Sequence, residues 1–286
     1  MKIDLVSDIT CAVGEGPWWD VAEQALFLVD MRGQRVWRFH PESGATEHWE
    51  MPRHTGLVTL AKDGRLVIVL SDGIFTLDRK DGAFQTLLMP DLPENTQFSD
   101  GKTDRHGRLI VATVDKQMKD PLGSVFSYDR GAFREHDRGF ALSNGPCFSP
   151  DDRSFYCADS RASTVYVYDY DLESGDMGPR RLFADTSPFG GLADGATVDS
   201  EGRLWMAMCA VGKVIAFAPD GTVERVIDMP TAGVSSVMFG GPDLDRLFVT
   251  SLDVSLFGKP ASPNAGRLFV IDGLGVQGLP ERRVEL

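Results

Sequence analysis

The chain has 286 residues, and its 42 Asp and Glu against 29 Lys and Arg give a formal net charge of −13. An acidic surface repels phosphate backbones and anionic bilayers and draws cations, so neither nucleic acid nor membrane is an expected partner. Hydrophobic residues at 42% suffice for a packed core, no apolar run nears the roughly 20 residues that span a bilayer, and the N-terminus has no basic start before an apolar stretch, so no signal peptide is read and a cytoplasmic location is expected.

The elements read as short strands cut by Asp-Gly-type turns, with no long 3.6-period segment. The first, KIDLVSD, has no partner in the unit that follows it. Next come pairs of strands in a repeating order: AEQALFLVD with QRVWRFH, DGRLVIVL with DGIFTLD, HGRLIVATV with GSVFSYD, DDRSFYCAD with STVYVYDYD, EGRLWMAM with GKVIAFA, and LDRLFVTS with GRLFVID. A further strand closes several units, as in RRLFAD and VERVIDMP. The first large apolar residues of the repeat are Leu26, Leu66, Leu109, Phe155, Leu204 and Leu247, at gaps of 40 to 49 residues. Units of three or four strands at that period are propeller blades. The expected fold is therefore all-β, a six-bladed propeller with four-stranded antiparallel blades. It is read as one domain over residues 1–286, with the N-terminal strand closing the last blade. Cys11, Cys147, Cys157 and Cys209 form no CxxC pair and are read as reduced core residues.

In a propeller the innermost strand of each blade starts beside the central channel. Counting back from the repeat markers reaches Glu15, Thr55, Ser99, Asn144, Asp194 and Ser235, several of them followed by Gly. Equivalent positions converge on the axis, so Glu15, Asn144 and Asp194 are expected to meet there. Two carboxylates and an amide oxygen form a hard donor set that suits one divalent cation. Residues of these types also cap turns, which is the competing explanation for any one of them. In the third unit the spacing selects Ser99 and the polar-Gly pattern selects Asp100; a Ser hydroxyl there would hold a water on the metal. His54 adjoins Thr55 and is a candidate for the pocket, whereas the other four histidines read as solvated. The loop 115–122 and the insertion 252–264 are placed to overhang the channel.

The stretches GEGPWWD (14–20), FSDGKTDRHGRLIVAT (98–113), LSNGPCFSPDDRSFYCADS (142–160), ADGATVDSEGRLWMA (193–207) and SVMFGGPDLDRLFVTS (236–251) carry a resemblance. Along nearly all its length the chain resembles the senescence-marker-protein/regucalcin/gluconolactonase family. The resemblance implies a six-bladed propeller with one divalent cation on its axis, whether Ca, Mg, Mn, Zn or Fe. It puts the glutamate ligand on Glu15, the asparagine on Asn144 and the aspartate on Asp194, with Asp194 also the general base. The family's Arg-Phe-Asn-Asp-Gly is here Gln97-Phe98-Ser99-Asp100-Gly101, so Gln97 and Ser99 stand where relatives place an arginine and an asparagine against substrate. A pocket glutamate falls near Lys119. The implied activity is metal-dependent hydrolysis of a sugar lactone or related lactone, by a monomer or weak homo-oligomer. The alternative is a cation-binding regulatory or scaffold propeller without catalysis.

Overall fold

The computed structural model describes all residues 1–286 and contains six β-sheets, two short 3₁₀ turns and no α-helix. Each sheet is one blade. The first runs Gly14–Asp20, Ala25–Asp30, Arg35–His40 and Ala45–Glu50 from the axis outward, every neighbour antiparallel. The inner strands of the other blades are Thr55–Leu60, Thr96–Thr103, Ser143–Phe148, Leu192–Val198 and Val234–Gly240. In the fourth blade Arg181–Asp185 is the outer strand, and a two-residue strand, Asp176–Met177, pairs beside it on the same neighbour. The inner strands pack in sequence order and the sixth returns to the first, which closes the ring. Lys2–Thr10 supplies the outer strand of the sixth blade, pairing Lys2 with Asp272 and Leu5 with Phe269. The two ends of the chain are thereby hydrogen-bonded into one sheet.

The period of two along each strand explains the packing. The strand Ala25–Asp30 is buried throughout because its two faces meet different neighbours. Ala25, Phe27 and Val29 face the second blade with Val58, Leu60 and Ile68, while Leu26 and Leu28 face the sixth with Phe248 and Val270. Six apolar clusters of this kind lie between the six consecutive pairs of blades. Each fully buried Leu, Val or Phe adds ~1.5–3 kcal/mol relative to exposure. Outer strands face water on one side, so Ala45–Glu50 reads polar and stays exposed. Trp18, Trp19, Phe98 and Phe148 belong to this core, and the four cysteines are buried and free.

One element has no counterpart in the repeat. After Asp272 the chain crosses the face of the ring opposite the inner-strand starts, bridging Asp199 to Gly278 and Ala61 to Val284. Val284 N donates to Leu60 O at 2.8 Å and Glu285 N to Gly107 O at 2.9 Å. Lys102 reaches Glu281 at 2.7 Å, with their side chains 14% and 7% exposed. A pair this dry holds only when both charges are present, since either alone would be left buried and uncompensated. This strap crosses the far end of the channel, opposite the inner-strand starts.

Candidate functional site

In every blade the inner strand carries one more residue than its partner at a common level. The irregularity falls between Glu15 and Trp18, Thr55 and Leu57, Phe98 and Gly101, Asn144 and Cys147, Ala193 and Ala196, and Val234 and Ser236. Such bulges bend a strand and re-aim its side chains. Glycine is needed here because neighbouring inner strands nearly touch. A Cβ on Gly56 would lie 2.2 Å from Ser99 O, and one on Gly195 would lie 2.0 Å from Ser236 Oγ. The polar-Gly pattern thus has a steric cause, and the polar residue before each glycine sits at the end of the channel.

Above this level opens a cavity of about 310 Å³ lined by Glu15, His54, Gln97, Ser99, Asp100, Asn144 and Asp194. Glu15 and Asp194 form its floor, each 9% exposed. Burial first, then the charges of Asp194 and Asp100, push the Glu15 carboxyl well above the usual carboxylate range. Burial, then the Asp100 charge, does the same to Asp194. Two carboxylates in that state need a shared proton or a cation between them. Asn144 is fixed by its neighbour in the same blade: its Nδ2 donates to Ser160 Oγ at 3.0 Å, and Ser160 Oγ in turn donates to Ala193 O. That bond uses one of the amide's two N–H donors, and the amide oxygen accepts no hydrogen bond in the protein. Nothing in the sequence pattern singled out Ser160.

The third unit resolves in favour of both residues having a place. Ser99 is buried in the cavity wall. Asp100 also lines it, but its oxygens accept Gly101 N at 2.7 Å and Gly145 N at 3.0 Å. Burial still lifts its carboxyl to about 6. Asp100 is held by two backbone amides, and no three His, Cys, Asp or Glu side chains form a ready cation cage. The floor set is two carboxylates and one amide, a chemistry that fits a hard divalent cation completed by water.

Higher in the wall, Gln97 Nε2 lies 3.4 Å from His54 Nδ1. Burial, then the nearby Arg32 charge, holds the His54 imidazole below its ordinary value. Thr55 and Ser235, reached by the same count as the floor residues, turn inward instead: Thr55 Oγ1 donates to Arg53 O and Ser235 Oγ to Gly14 O. His136, read as a solvated residue, is half-buried, bonds Ser127 Oγ at 2.8 Å, and is pushed down to about 4 by burial. Lys119 is exposed and lies outside the cavity lining. Asp115 coils its loop by accepting the amides of Gln117, Lys119 and Asp120, and Lys116 and Met118 reach the cavity instead. The insertion after Ser251 also arrives, through Leu252, Val254, Phe257 and Lys259.

A family model described as the SMP-30/gluconolactonase/LRE-like region matches residues 13–253. The chain belongs to that family. Pentonolactonase XacC of Haloferax volcanii is 34% identical over 300 residues, covering 100% of this chain and 99% of that protein. A solved luciferin-regenerating enzyme superposes with a TM-score of 0.92 at 28% identity, covering 100% of this chain and 99% of the other. A regucalcin from Agrobacterium tumefaciens, titled a calcium-binding protein, gives a TM-score of 0.91 at 25% identity over 99% of this chain and 97% of its own. Within this SMP-30-like frame the floor residues Glu15, Asn144 and Asp194 lie inside the matched region. The C-terminal strap lies beyond it.

Proposed function

We propose that this protein is a lactonase that opens a sugar or related lactone with water, assisted by a divalent cation at the cavity floor. The observation that carries the reading is the meeting of Glu15, Asn144 and Asp194, from three blades, in one cavity of substrate size. A divalent cation bound to these three residues would polarise the lactone carbonyl and offset the negative charge that develops on it. Asp194 accepts a proton from the attacking water as its oxygen bonds to the carbonyl carbon. The ring C–O bond then breaks, and the proton passes from Asp194 to the departing ring oxygen, leaving a hydroxy acid. Asn144 takes no proton and serves as a neutral oxygen ligand. Glu15 has the longer side chain and is assigned to the cation alone. The relative named as a pentonolactonase supports the reaction. The neighbour titled calcium-binding supports the cation, and equally a second reading, a cation-binding propeller with no turnover.

Acid release from a panel of lactones in a pH-stat separates the two, since a binding propeller opens none of them. Gln97 and Ser99 are proposed to set the choice within the panel. Gln97 offers a neutral donor and acceptor, and cannot match the two-pronged grip of an arginine on neighbouring hydroxyls. Ser99 leaves space for a bulkier substituent or a water. The native protein is therefore expected to favour a lactone that differs from plain gluconolactone in ring size, stereochemistry or substituent. The double variant Gln97→Arg, Ser99→Asn should shift kcat/KM toward the common aldonolactones. A native preference for gluconolactone that the double variant merely weakens would remove these two positions from specificity.

A further inference from the structure

We propose that the cavity selects lactones carrying a second, anionic group, a carboxylate or a phosphate, at the end of the molecule away from the lactone carbonyl. The inference rests on the lactonase reading and concerns its substrate class. It comes from the rim. The connections between second and third strands all lie on the open face of the ring, and four of the six bring a cation to the cavity: Arg32, Lys116, Arg161 and Lys259. In a chain of net charge −13 this is the reverse of what the composition supplies.

None of the four pairs with a carboxylate, although cations elsewhere do so readily. Arg79 meets Glu23, and Arg203 alone meets Asp199, Glu201 and Glu224. The acids closest in sequence are already engaged. Three of the second strands end in Asp, and each spends its charge on backbone amides. Asp30 accepts from Ala12, Val13 and Gly33, Asp159 from Ala141, Leu142 and Arg161, and Asp115 from the amides of its own loop. Three of the rim cations are placed by contacts that leave their charge unanswered. Lys116 Nζ donates to Glu94 O at 2.6 Å, Arg161 Nε donates to Met118 O at 2.9 Å, and Arg32 stacks 4.6 Å over the Phe257 ring. Arg161 keeps its two terminal nitrogens free for a bidentate acceptor. Between this rim and the acidic floor stands the uncharged Gln97–His54 pair. A substrate whose carbonyl lies at the floor and whose far end is anionic matches that order of polarity. A neutral sugar lactone leaves four cations unused.

The test compares kcat/KM for three aldonolactones of one ring size whose far ends carry a hydroxymethyl, a carboxylate or a phosphate, at low and at high salt. At low salt the better anionic lactone should exceed the neutral one by about 10-fold, the scale of electrostatic capture at a charged mouth, and the faster of the two names the anion. Salt should shrink the ratio. Arg32→Gln and Arg161→Gln, both exposed positions, should each lower the anionic-to-neutral ratio by about 3–5-fold, as for a partly exposed ion pair. Equal or faster opening of the neutral lactone, with a ratio that neither salt nor the variants move, overturns the inference and leaves the lactonase reading standing. If no lactone is opened, the lactonase reading fails. Calorimetric binding of the open acids then decides the charge preference: tighter binding of the doubly anionic acid sustains it, and equal binding overturns it.

Discussion

Asp194→Asn is expected to lower kcat for lactone opening by about 10²–10⁴-fold, the scale of a lost general base, while the fold and much of the cation binding persist. The amide keeps an oxygen where the carboxylate had one, so coordination survives in part. It cannot accept a proton from water at neutral pH. The substitution also removes one of the like charges that burial penalises at the floor, so the cation-free variant should melt no lower than the parent. Turnover, cation binding by calorimetry and thermal melting are measured together. Near-parental turnover with cation bound would move the base elsewhere.

Glu15→Gln is expected to act on the cation first. Its carboxyl shares the floor with Asp194 and lies close enough that the Asp194 charge adds to burial in raising it. Losing the charge should weaken divalent-cation affinity by at least ~10–100-fold, the loss seen when even an indirect partner of a metal ligand is removed. Turnover should fall at low cation and recover in part as the cation is raised, a rescue Asp194→Asn should not show. Stability should move the other way. The neutral amide fits the same space without the cost of a buried charge, so the cation-free variant should melt at or above the cation-free parent. Such opposite signs are expected where a site is built for function at the expense of stability. A variant with unchanged cation affinity would take Glu15 out of the ligand set.

The blades were legible because their code is local. A strand such as Ala25–Asp30 alternates side chains between two apolar neighbours, and Asp-Gly turns mark its ends, so six repeats at one spacing dictate a ring. Glu15, Asn144 and Asp194 were legible for the same reason: each precedes a glycine, of which Gly145 and Gly195 let one inner strand approach the next while Gly16 takes a positive φ of 50°. What escaped the sequence depends on partners far along the chain. The strap after Asp272 has no strand pattern of its own, and its hydrogen bonds go to turns of several blades. Ser160 orients Asn144 from the end of a neighbouring strand, with no motif to mark it. The resemblance puts a pocket position near Lys119, but the curl imposed by Asp115 brings in Lys116 and Met118. The rim cations sit in connections of unequal length, so no period reveals that Arg32, Lys116, Arg161 and Lys259 share one opening.

The most direct test of a cation-assisted lactonase is acid release in a pH-stat by protein stripped with a chelator and then resupplied with Ca²⁺, Mg²⁺, Mn²⁺ or Zn²⁺ in turn, across the lactone panel. Turnover of at least one lactone that stops on stripping and returns with one of these cations is the predicted result. Hydrolysis that continues unchanged in chelator, or no lactone opened with any cation, would contradict it.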